Sequence, residues 1–242
     1  MVGFHLNHQE TEANLLATIA WVSLVVAFAC ALWIAADEMR HPQSMAVMNV
    51  VWPVTALYLS VFALWGYYKI GRATTKHSMQ SPPMTMMHAE ARSHPTTAQI
   101  GVSTSHCGAG CVLADVVCEF WIASAGITLL GSMLLAEYAI DFVGAWALGI
   151  AFQYFAIQPM RHLPVGKALL AVIKADTFSI LAFQVGMYAW MALVFFRLFP
   201  HRHFTPFEPQ YWLMMQIAMI CGYATSYPMN WWLIRAGIKE VM

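Results

Sequence analysis

Six apolar runs, each about long enough to cross a lipid bilayer as a helix, constrain this chain more than any other feature. A helix needs about 20 apolar residues to span the hydrocarbon. The six runs cover residues 15–36, 45–68, 111–135, 138–157, 178–199 and 211–234. Pro53 lies inside the second run, and proline is tolerated in membrane helices. The sequence therefore predicts an all-α membrane protein with about six transmembrane helices.

The composition indicates that these runs face lipid. Hydrophobic residues make up 60% of the 242 residues and charged residues only 10%, whereas soluble domains carry about 25% charged residues. We therefore expect a multi-pass protein of the inner (plasma) membrane, with the lipid bilayer as its main partner. The formal net charge is zero. Because nucleic-acid binding needs a dense basic face, no nucleic-acid partner is expected.

A polar segment divides the apolar runs into two groups. Residues 69–105 are rich in Thr, Ser, Pro, Met and His and poor in large aliphatic residues, a composition typical of linkers. The sequence predicts an N-terminal pair of transmembrane helices in residues 1–70 and a flexible Met/His-rich cytoplasmic linker in residues 71–105. A four-helix transmembrane domain is predicted in residues 106–242.

Basic residues predict the orientation of the helices, because Lys and Arg concentrate in cytoplasmic loops. Most of them follow the second, fourth and sixth runs: Lys69, Arg72, Lys76, Arg92, Arg161, Lys167, Lys174, Arg235 and Lys239. The opposite side receives only Arg40, Arg197 and Arg202. With six crossings, this bias predicts that both termini and the linker are cytoplasmic.

A group of thiol, imidazole and carboxyl side chains begins where the linker meets the third apolar run. Its members are His106, Cys107, Cys111, Asp115, Cys118 and Glu119. At about 100° per residue, the three thiols and two carboxylates fall within about 120° of one helix face, provided that the helix begins near Cys107. The neighbouring Gly108 and Gly110 make an irregular first turn an alternative.

The chemistry of this group favours a metal site. Thiolate and imidazole ligands prefer soft or borderline ions such as Cu(I) and Zn(II). Carboxylates can orient such ligands or accept the protons that thiols release when they bind metal. We expect His106, Cys107 and Cys111 to be the primary ligands at the cytoplasmic mouth, with the other three residues continuing the path inward. The alternative is that the cysteines pack as small hydrophobic residues.

The linker carries a second set of candidate ligands. Met84, Met86, Met87 and His88 form a cluster just ahead of the third apolar run, and thioether and imidazole together suit copper. We expect this cluster to collect or deliver metal ions. A low-complexity loop that happens to contain methionine is the alternative.

Several functional classes do not fit the sequence. All ten histidines lie outside the predicted spans, whereas haem bundles hold their cofactor with histidines from the helices. The sequence has no Gly-x-Ser-x-Gly, His-Glu-x-x-His or phosphate-loop motif. Cys107 and Cys111 form Cys-x-x-x-Cys rather than the Cys-x-x-Cys of thiol redox proteins.

The segment from His106 to Cys111, the acidic Asp115 and Glu119, and the sequence Tyr-Pro-Met-Asn-Trp-Trp at residues 227–232 resemble a family. It is a bacterial and archaeal membrane domain family of unknown function, and the resemblance covers the chain from Ser105 onward. Some members are fused to, or sit beside, multicopper oxidases and other copper-handling proteins. The resemblance therefore implies copper chemistry and a copper-handling partner protein.

These observations favour a membrane protein that binds and transports, or hands over, a soft metal ion. Copper is the first expectation, with zinc or another soft or borderline metal next. One alternative is a membrane-embedded, metal-dependent redox enzyme that acts on a lipid-soluble substrate. Another is a structural or assembly subunit in which Cys and Met simply pack. An enzymatic role is the weaker expectation, and homo-oligomerisation stays open.

Overall fold

The protein is described by a computed structural model that covers residues 2–43, 45–72, 95–161 and 165–239. In these residues the regular secondary structure is helical, apart from one isolated bridge between Leu129 and Ser132. The predicted all-α class is therefore confirmed for this part of the chain. The helices are α1 (Val2–Glu38), α2 (Met48–Leu59), α3 (Val61–Gly66), α4 (Thr97–Ala125), α5 (Met133–Arg161), α6 (Val165–Leu193) and α7 (Pro209–Arg235).

Within the described residues, four segments are long and apolar enough to cross a membrane, as expected of a multi-pass membrane protein. They are Glu12–Glu38, Thr97–Ala125, Met133–Tyr154 and Asp176–Leu198. Large apolar side chains such as Trp21, Val25 and Leu32 on α1 are exposed, as a lipid-facing surface requires. The six-span count is not confirmed. Helix α7 falls below the hydropathy of the four spans, because polar side chains occupy its inward face.

The second predicted span, residues 45–68, is a helical hairpin and not one continuous helix. Helix α2 ends at Leu59, and Ser60 takes a left-handed φ of 48° with ψ of −117°. Helix α3 then runs back and continues into a short π-helical turn, Tyr67–Gly71. The Trp52 ring packs 5.8 Å from the Tyr67 ring and also lies against Gly71. These contacts are only formed if the two arms are antiparallel.

Both ends of this hairpin lie at the carboxyl end of α1. Arg72 Nε donates to Asp37 Oδ2 at 2.8 Å, and the Tyr67 hydroxyl donates to the same oxygen at 2.8 Å. Gln43 Nε2 donates to the Gly71 carbonyl oxygen at 2.8 Å. The hairpin therefore begins and ends at the same end of the helices, which we call the base of the bundle.

The hairpin changes where the ends of the outer helices lie. The Tyr227 hydroxyl donates to the Thr97 carbonyl oxygen at 3.3 Å, and Trp212 packs 5.5 Å from Phe120. Helix α7 is therefore antiparallel to α4. Ala98 and Gln99 line the same pocket as Gln43 and Gly71, so α4 begins, and α7 ends, at the base. The amino end of α1 lies at the opposite end. The amino end of α1 and the carboxyl end of α7 thus lie at opposite ends of the helices, and the prediction that both termini are cytoplasmic stays a prediction.

Helices α4 to α7 pack closely through small residues, as is common in membranes. A Cβ atom added to Gly110 of α4 would lie 3.2 Å from Gly149 Cα of α5. Gly186 of α6 lies against Thr225 of α7. Each glycine therefore permits a helix–helix approach that a larger residue would prevent.

Helix α4 begins earlier than expected, inside the predicted linker. Thr96 and Gln99 form a capping box, in which each side chain bonds to the backbone N–H of the other residue. This arrangement stabilises a helix start at Thr97. His106, Cys107 and Cys111 therefore lie within a regular helix and not at an irregular first turn.

Candidate functional site

The inward face of α4 carries a stripe of two thiols and two carboxyl groups. Cys107, Cys111, Asp115 and Glu119 recur every four residues, and their exposed fractions are 1%, 0%, 0% and 3%. We call these four residues the thiol–acid stripe. The structure brings them together on the face that the helical periodicity predicts.

The other two predicted ligands on α4 lie beside the stripe. His106 is buried, its ring is 6.2 Å from Phe152 of α5, and neither ring nitrogen has a hydrogen-bond partner. The prediction that every histidine lies outside the spans is wrong for His106, because α4 begins at Thr97. Cys118 is partly exposed and packs against Gly144 of α5. It therefore faces the α4–α5 contact.

A lysine ammonium contacts Cys107 at the basal end of the stripe. Lys239 Nζ lies 2.7 Å from Asp176 Oδ1, 3.3 Å from Ser179 Oγ and 3.8 Å from Cys107 Sγ. Cys107 Sγ is also 3.8 Å from Asp176 Oδ1. Lys239 and Asp176 are both fully buried. Together with Asn230, which bonds to Ser179, we call these residues the basal cluster.

Hydrogen bonds hold the basal cluster in place from α7. The Ser179 hydroxyl donates to Asn230 Oδ1 at 2.8 Å. Asn230 Nδ2 donates to the Ser226 carbonyl oxygen at 3.0 Å, and the Ser226 hydroxyl donates to the Ser179 carbonyl oxygen at 3.1 Å. This network fixes α6 against α7, so Asp176 and Ser179 have defined positions.

Two opposing effects act on the Lys239 ammonium, which lies beyond the end of α7. Burial lowers its pKa, because a low-dielectric surrounding disfavours charge. The Asp176 carboxylate and the Cys107 thiol outweigh burial and raise the pKa of Lys239 above its ordinary value. Lys239 is therefore a buried cation held by an anionic partner.

A second polar group, the acidic cluster, lies further along the stripe. It consists of Asp115, Glu119, Asp141, Gln184 and Tyr211. Asp115 interacts with Glu119 and Gln184, and Glu119 interacts with Asp141 and Tyr211. All five are buried, and three of them are carboxyl groups. Carboxyl groups inside a membrane span usually face a partner or a cavity.

The two clusters are separated by a mainly apolar layer. At 1.5 Å per residue, Cys107 and Asp115 are about 12 Å apart along α4. Cys111 lies between them in a core with buried Ile180, Phe183 and Met187. Within the stripe, the Cys111 thiol is thus the polar group that lies in this layer between the two clusters.

The hairpin tip reaches the same level of the bundle. A Cβ atom added to Gly108 would lie 2.8 Å from the Tyr58 hydroxyl oxygen. Gln216 Nε2 donates to the Leu57 carbonyl oxygen at 2.7 Å, and Gln216 Oε1 accepts from the Ser23 hydroxyl at 2.6 Å. The tip therefore contacts both α4 and α7 beside the thiols.

The predicted ligands do not converge on one point. In the part of the chain that the structure describes, no group of three or more His, Cys, Asp or Glu side chains is arranged to hold a metal ion. The arrangement instead offers two thiols one helical turn apart, with the His106 imidazole on the neighbouring side of α4 toward Phe152. Met84, Met86, Met87 and His88 lie outside the described residues.

Sequence reasoning missed Lys239 and the acidic partner Asp141 as members of the site. Both are brought to α4 by tertiary packing, and Lys239 is separated from Asp176 by 63 residues. The signal that could have pointed to Asp141 is its position within an apolar run, where carboxyl groups face a partner or a cavity.

Comparison with known proteins identifies one family. A family model described as a domain of unknown function matches residues 96–239, which include α4 to α7 and end at Lys239. The expected similarity to a family of unknown function is therefore confirmed, whereas its copper association stays a prediction. No curated protein and no solved structure matches the chain.

Proposed function

The chain belongs to the DUF4396 family, and we propose that it is a membrane protein that binds a soft metal cation and passes it through the bundle of α4 to α7. Copper is the first candidate for this cargo. The observation that carries the proposal is the thiol–acid stripe. It is a buried line of thiol and carboxyl side chains, the types that bind metal ions, from Cys107 of the basal cluster through Cys111 to Asp115 and Glu119 of the acidic cluster.

The burial of this stripe favours a pathway over simple packing. Ionisable side chains inside a bilayer are costly, and they usually face a bundle interior and mark an ion path. Asp115, Glu119 and Asp141 bring three buried carboxyl groups together in this interior. Side chains that only pack would be apolar.

The donor atoms favour a soft cation. Thiolate sulfur selects Cu(I), whereas structural zinc sites have four ligands in tetrahedral geometry. Cys107 and Cys111 provide two thiols one turn apart, and His106 adds an imidazole without hydrogen-bond partners. The copper association that the family resemblance implies supports the same cargo and a copper-handling partner. Met84, Met86, Met87 and His88 would collect or deliver ions at the basal mouth.

We propose a topology of five crossings, made by α1, α4, α5, α6 and α7, with α2 and α3 as a re-entrant hairpin. Lys69, Arg72 and Arg235 then lie on the basal side. Arg40 lies there as well, because a hairpin in residues 45–68 returns the chain to the side from which it entered. Arg197 and Arg202 lie on the opposite side. Because Lys and Arg are more frequent in the cytoplasmic loops of membrane proteins, the base faces the cytoplasm and the amino end of α1 lies on the other side.

A redox enzyme with a lipid-soluble substrate is the second candidate, and one observation favours it. An apolar cavity of about 220 Å³ lies between α1, α4 and α7, with Phe28, Val116 and Trp212 among its lining residues. The cavity could accept a hydrophobic molecule from the bilayer. Its wall includes Val112, the neighbour of Cys111. This candidate predicts that a redox-active metal remains bound and changes oxidation state when a quinone-like substrate is added.

Metal binding by the purified protein tests the primary proposal. The wild type should bind about one Cu(I) or Ag(I) per chain, and Cys107→Ser/Cys111→Ser should lose that ion. The matched control is Cys30→Ser/Cys221→Ser, which removes two thiols outside the stripe and should keep the wild-type stoichiometry. Equal metal content in all three proteins would contradict a role for the stripe.

A further inference from the structure

The Lys239 ammonium is bound as a metal cation would be. Its three acceptor atoms come from two helices: Cys107 Sγ from α4, and Asp176 Oδ1 and Ser179 Oγ from α6. One acceptor is anionic, one is a hydroxyl and one is a soft sulfur. The lysine belongs to neither helix, because it follows the end of α7 at Arg235.

We propose that Cys107, Asp176 and Ser179 form a binding site for a soft monovalent cation, and that the Lys239 ammonium is an intramolecular occupant that this cation displaces. This inference rests on the proposed function for the identity of the cargo. It limits the cargo to Cu(I) and its analogue Ag(I). It also implies that the segment after α7 blocks the basal end of the stripe until the cation displaces Lys239.

The exchange keeps the charge of the site balanced. A buried carboxylate that loses its cationic partner is strongly destabilised, so Lys239 leaves only when its charge is replaced. Metal ions bind cysteine as the thiolate. A monovalent ion therefore replaces the ammonium charge for charge when the Cys107 thiol passes its proton to the Asp176 carboxylate, whose Oδ1 lies 3.8 Å from Cys107 Sγ. Structural zinc sites hold four ligands, one more than the three donor atoms of this site. Sulfur, for its part, disfavours Na⁺ and K⁺.

The segment that carries Lys239 lies outside the helices and is held by few backbone hydrogen bonds. It leaves α7 through a turn at Gly237, whose φ is 69°. The backbone N–H groups of Ile238 and Lys239 both donate to the Leu233 carbonyl oxygen, at 3.0 and 3.1 Å. Release of Lys239 requires that these two bonds and the three ammonium contacts open, whereas the hydrogen bonds between Ser179, Ser226 and Asn230 can still hold α6 against α7.

The first test removes the competing ammonium. Lys239→Met keeps the length and apolar stem of the side chain, and Lys174→Met on the exposed surface of α6 is the matched control. A competitor that fills the site about 90% of the time weakens apparent affinity about tenfold. Lys239→Met should therefore bind Ag(I) about tenfold more tightly than the wild type, and Lys174→Met should bind it equally.

The second test uses the wild-type protein and does not depend on a variant that folds. An amine-acylating reagent, followed by peptide mass spectrometry, measures how accessible Lys239 is. The buried amine should react slowly in metal-free protein and at least tenfold faster with saturating Ag(I). The same concentration of Zn(II) should leave the rate unchanged.

The outcomes separate this inference from the proposed function. If the wild type binds no Ag(I) through Cys107 and Cys111, the proposed function fails. If it binds Ag(I) through them, but Lys239 stays unreactive and Lys239→Met binds no more tightly, only the displacement of Lys239 is overturned. If Zn(II) exposes Lys239 as well as Ag(I) does, the preference for a monovalent ion is overturned.

Discussion

Gly108 of α4 lies directly against Tyr58 at the tip of the hairpin. A methyl group at Gly108 would stand 2.8 Å from the Tyr58 hydroxyl oxygen and 3.0 Å from the Phe183 ring. The close approach of the hairpin thus explains why position 108 is a glycine. The alternative expectation, that this glycine keeps the start of the helix irregular, is wrong because Gly108 lies inside α4.

This contact predicts that Gly108→Ala is destabilising although alanine favours helix. Overpacking of a filled site costs about 1–3 kcal/mol, so the free energy of unfolding should fall by about that amount. Tyr58→Phe removes the hydroxyl nearest the new methyl group and should recover part of the loss in the double variant. The free energy of unfolding of the three variants is measured by adding a denaturing detergent to protein in a mild detergent.

Gly166→Ala is the control for that series. No heavy atom lies within 4 Å of a Cβ atom at Gly166, and alanine in a helix is favoured over glycine by up to about 1 kcal/mol. Its stability should stay equal to the wild type or rise. If Gly108→Ala behaved in the same way, the hairpin tip would not lie against α4.

The hairpin predicts that Gln43 and Arg72 are accessible from the same side of the membrane. Single Gln43→Cys and Arg72→Cys variants in sealed vesicles are treated with a membrane-impermeant maleimide. Both should react before permeabilisation, or both should react only after it. Leu130→Cys, in the exposed turn between α4 and α5, should show the opposite behaviour. A continuous second span would place Gln43 and Arg72 on different sides.

How far the sequence predicts this fold depends on whether a feature is local. The stripe was predictable, because Cys107, Cys111, Asp115 and Glu119 recur at the helical period. The early start of α4 was also readable, since Thr96 and Gln99 have the spacing of a capping box.

The hairpin could not be predicted from hydropathy. An apolar run of sufficient length is equally consistent with one crossing or with two short arms, because hydropathy carries no direction. The reversal depends on the backbone of Ser60 and on the pairing of Asp37 with Arg72 across 35 residues. Lys239 was hidden for the same reason, since a lysine after the last helix is usually a surface charge.

The acidic cluster predicts that its carboxyl groups serve function and not stability. Asp115→Asn and Glu119→Gln each remove one carboxyl group from a buried group of neighbouring carboxyls, so the unfolding temperature should stay the same or rise. Cation uptake by reconstituted protein should fall at least about tenfold, or about 1.4 kcal/mol. Glu208→Gln, at the exposed start of α7, is the matched control and should keep both properties. A large loss of stability in the first two variants would instead indicate a structural role.

Tyr138 and Tyr188 form a reciprocal contact that should contribute to stability alone. Their rings stack 4.1 Å apart, and each hydroxyl donates to the backbone carbonyl oxygen of the other residue, at 2.7 and 2.8 Å. Each single change to Phe should cost about 0.5–1.5 kcal/mol and leave Ag(I) affinity unchanged. Thermal unfolding and metal titration of the two single variants and the double variant check this. A change in Ag(I) affinity would mean that the pair contributes to the cation path.

Passage of the cation through the bundle is the central claim, and uptake into vesicles measures it most directly. Purified protein reconstituted into phospholipid vesicles, with a fluorescent thiol chelator trapped inside, reports the entry of Cu(I) or Ag(I). The account predicts uptake by the wild type and by Cys30→Ser, and loss of at least about 90% of the rate in Cys111→Ser, whose thiol connects the two clusters. Wild-type vesicles no more permeable than protein-free vesicles, or a Cys111→Ser rate equal to that of the wild type, would contradict it.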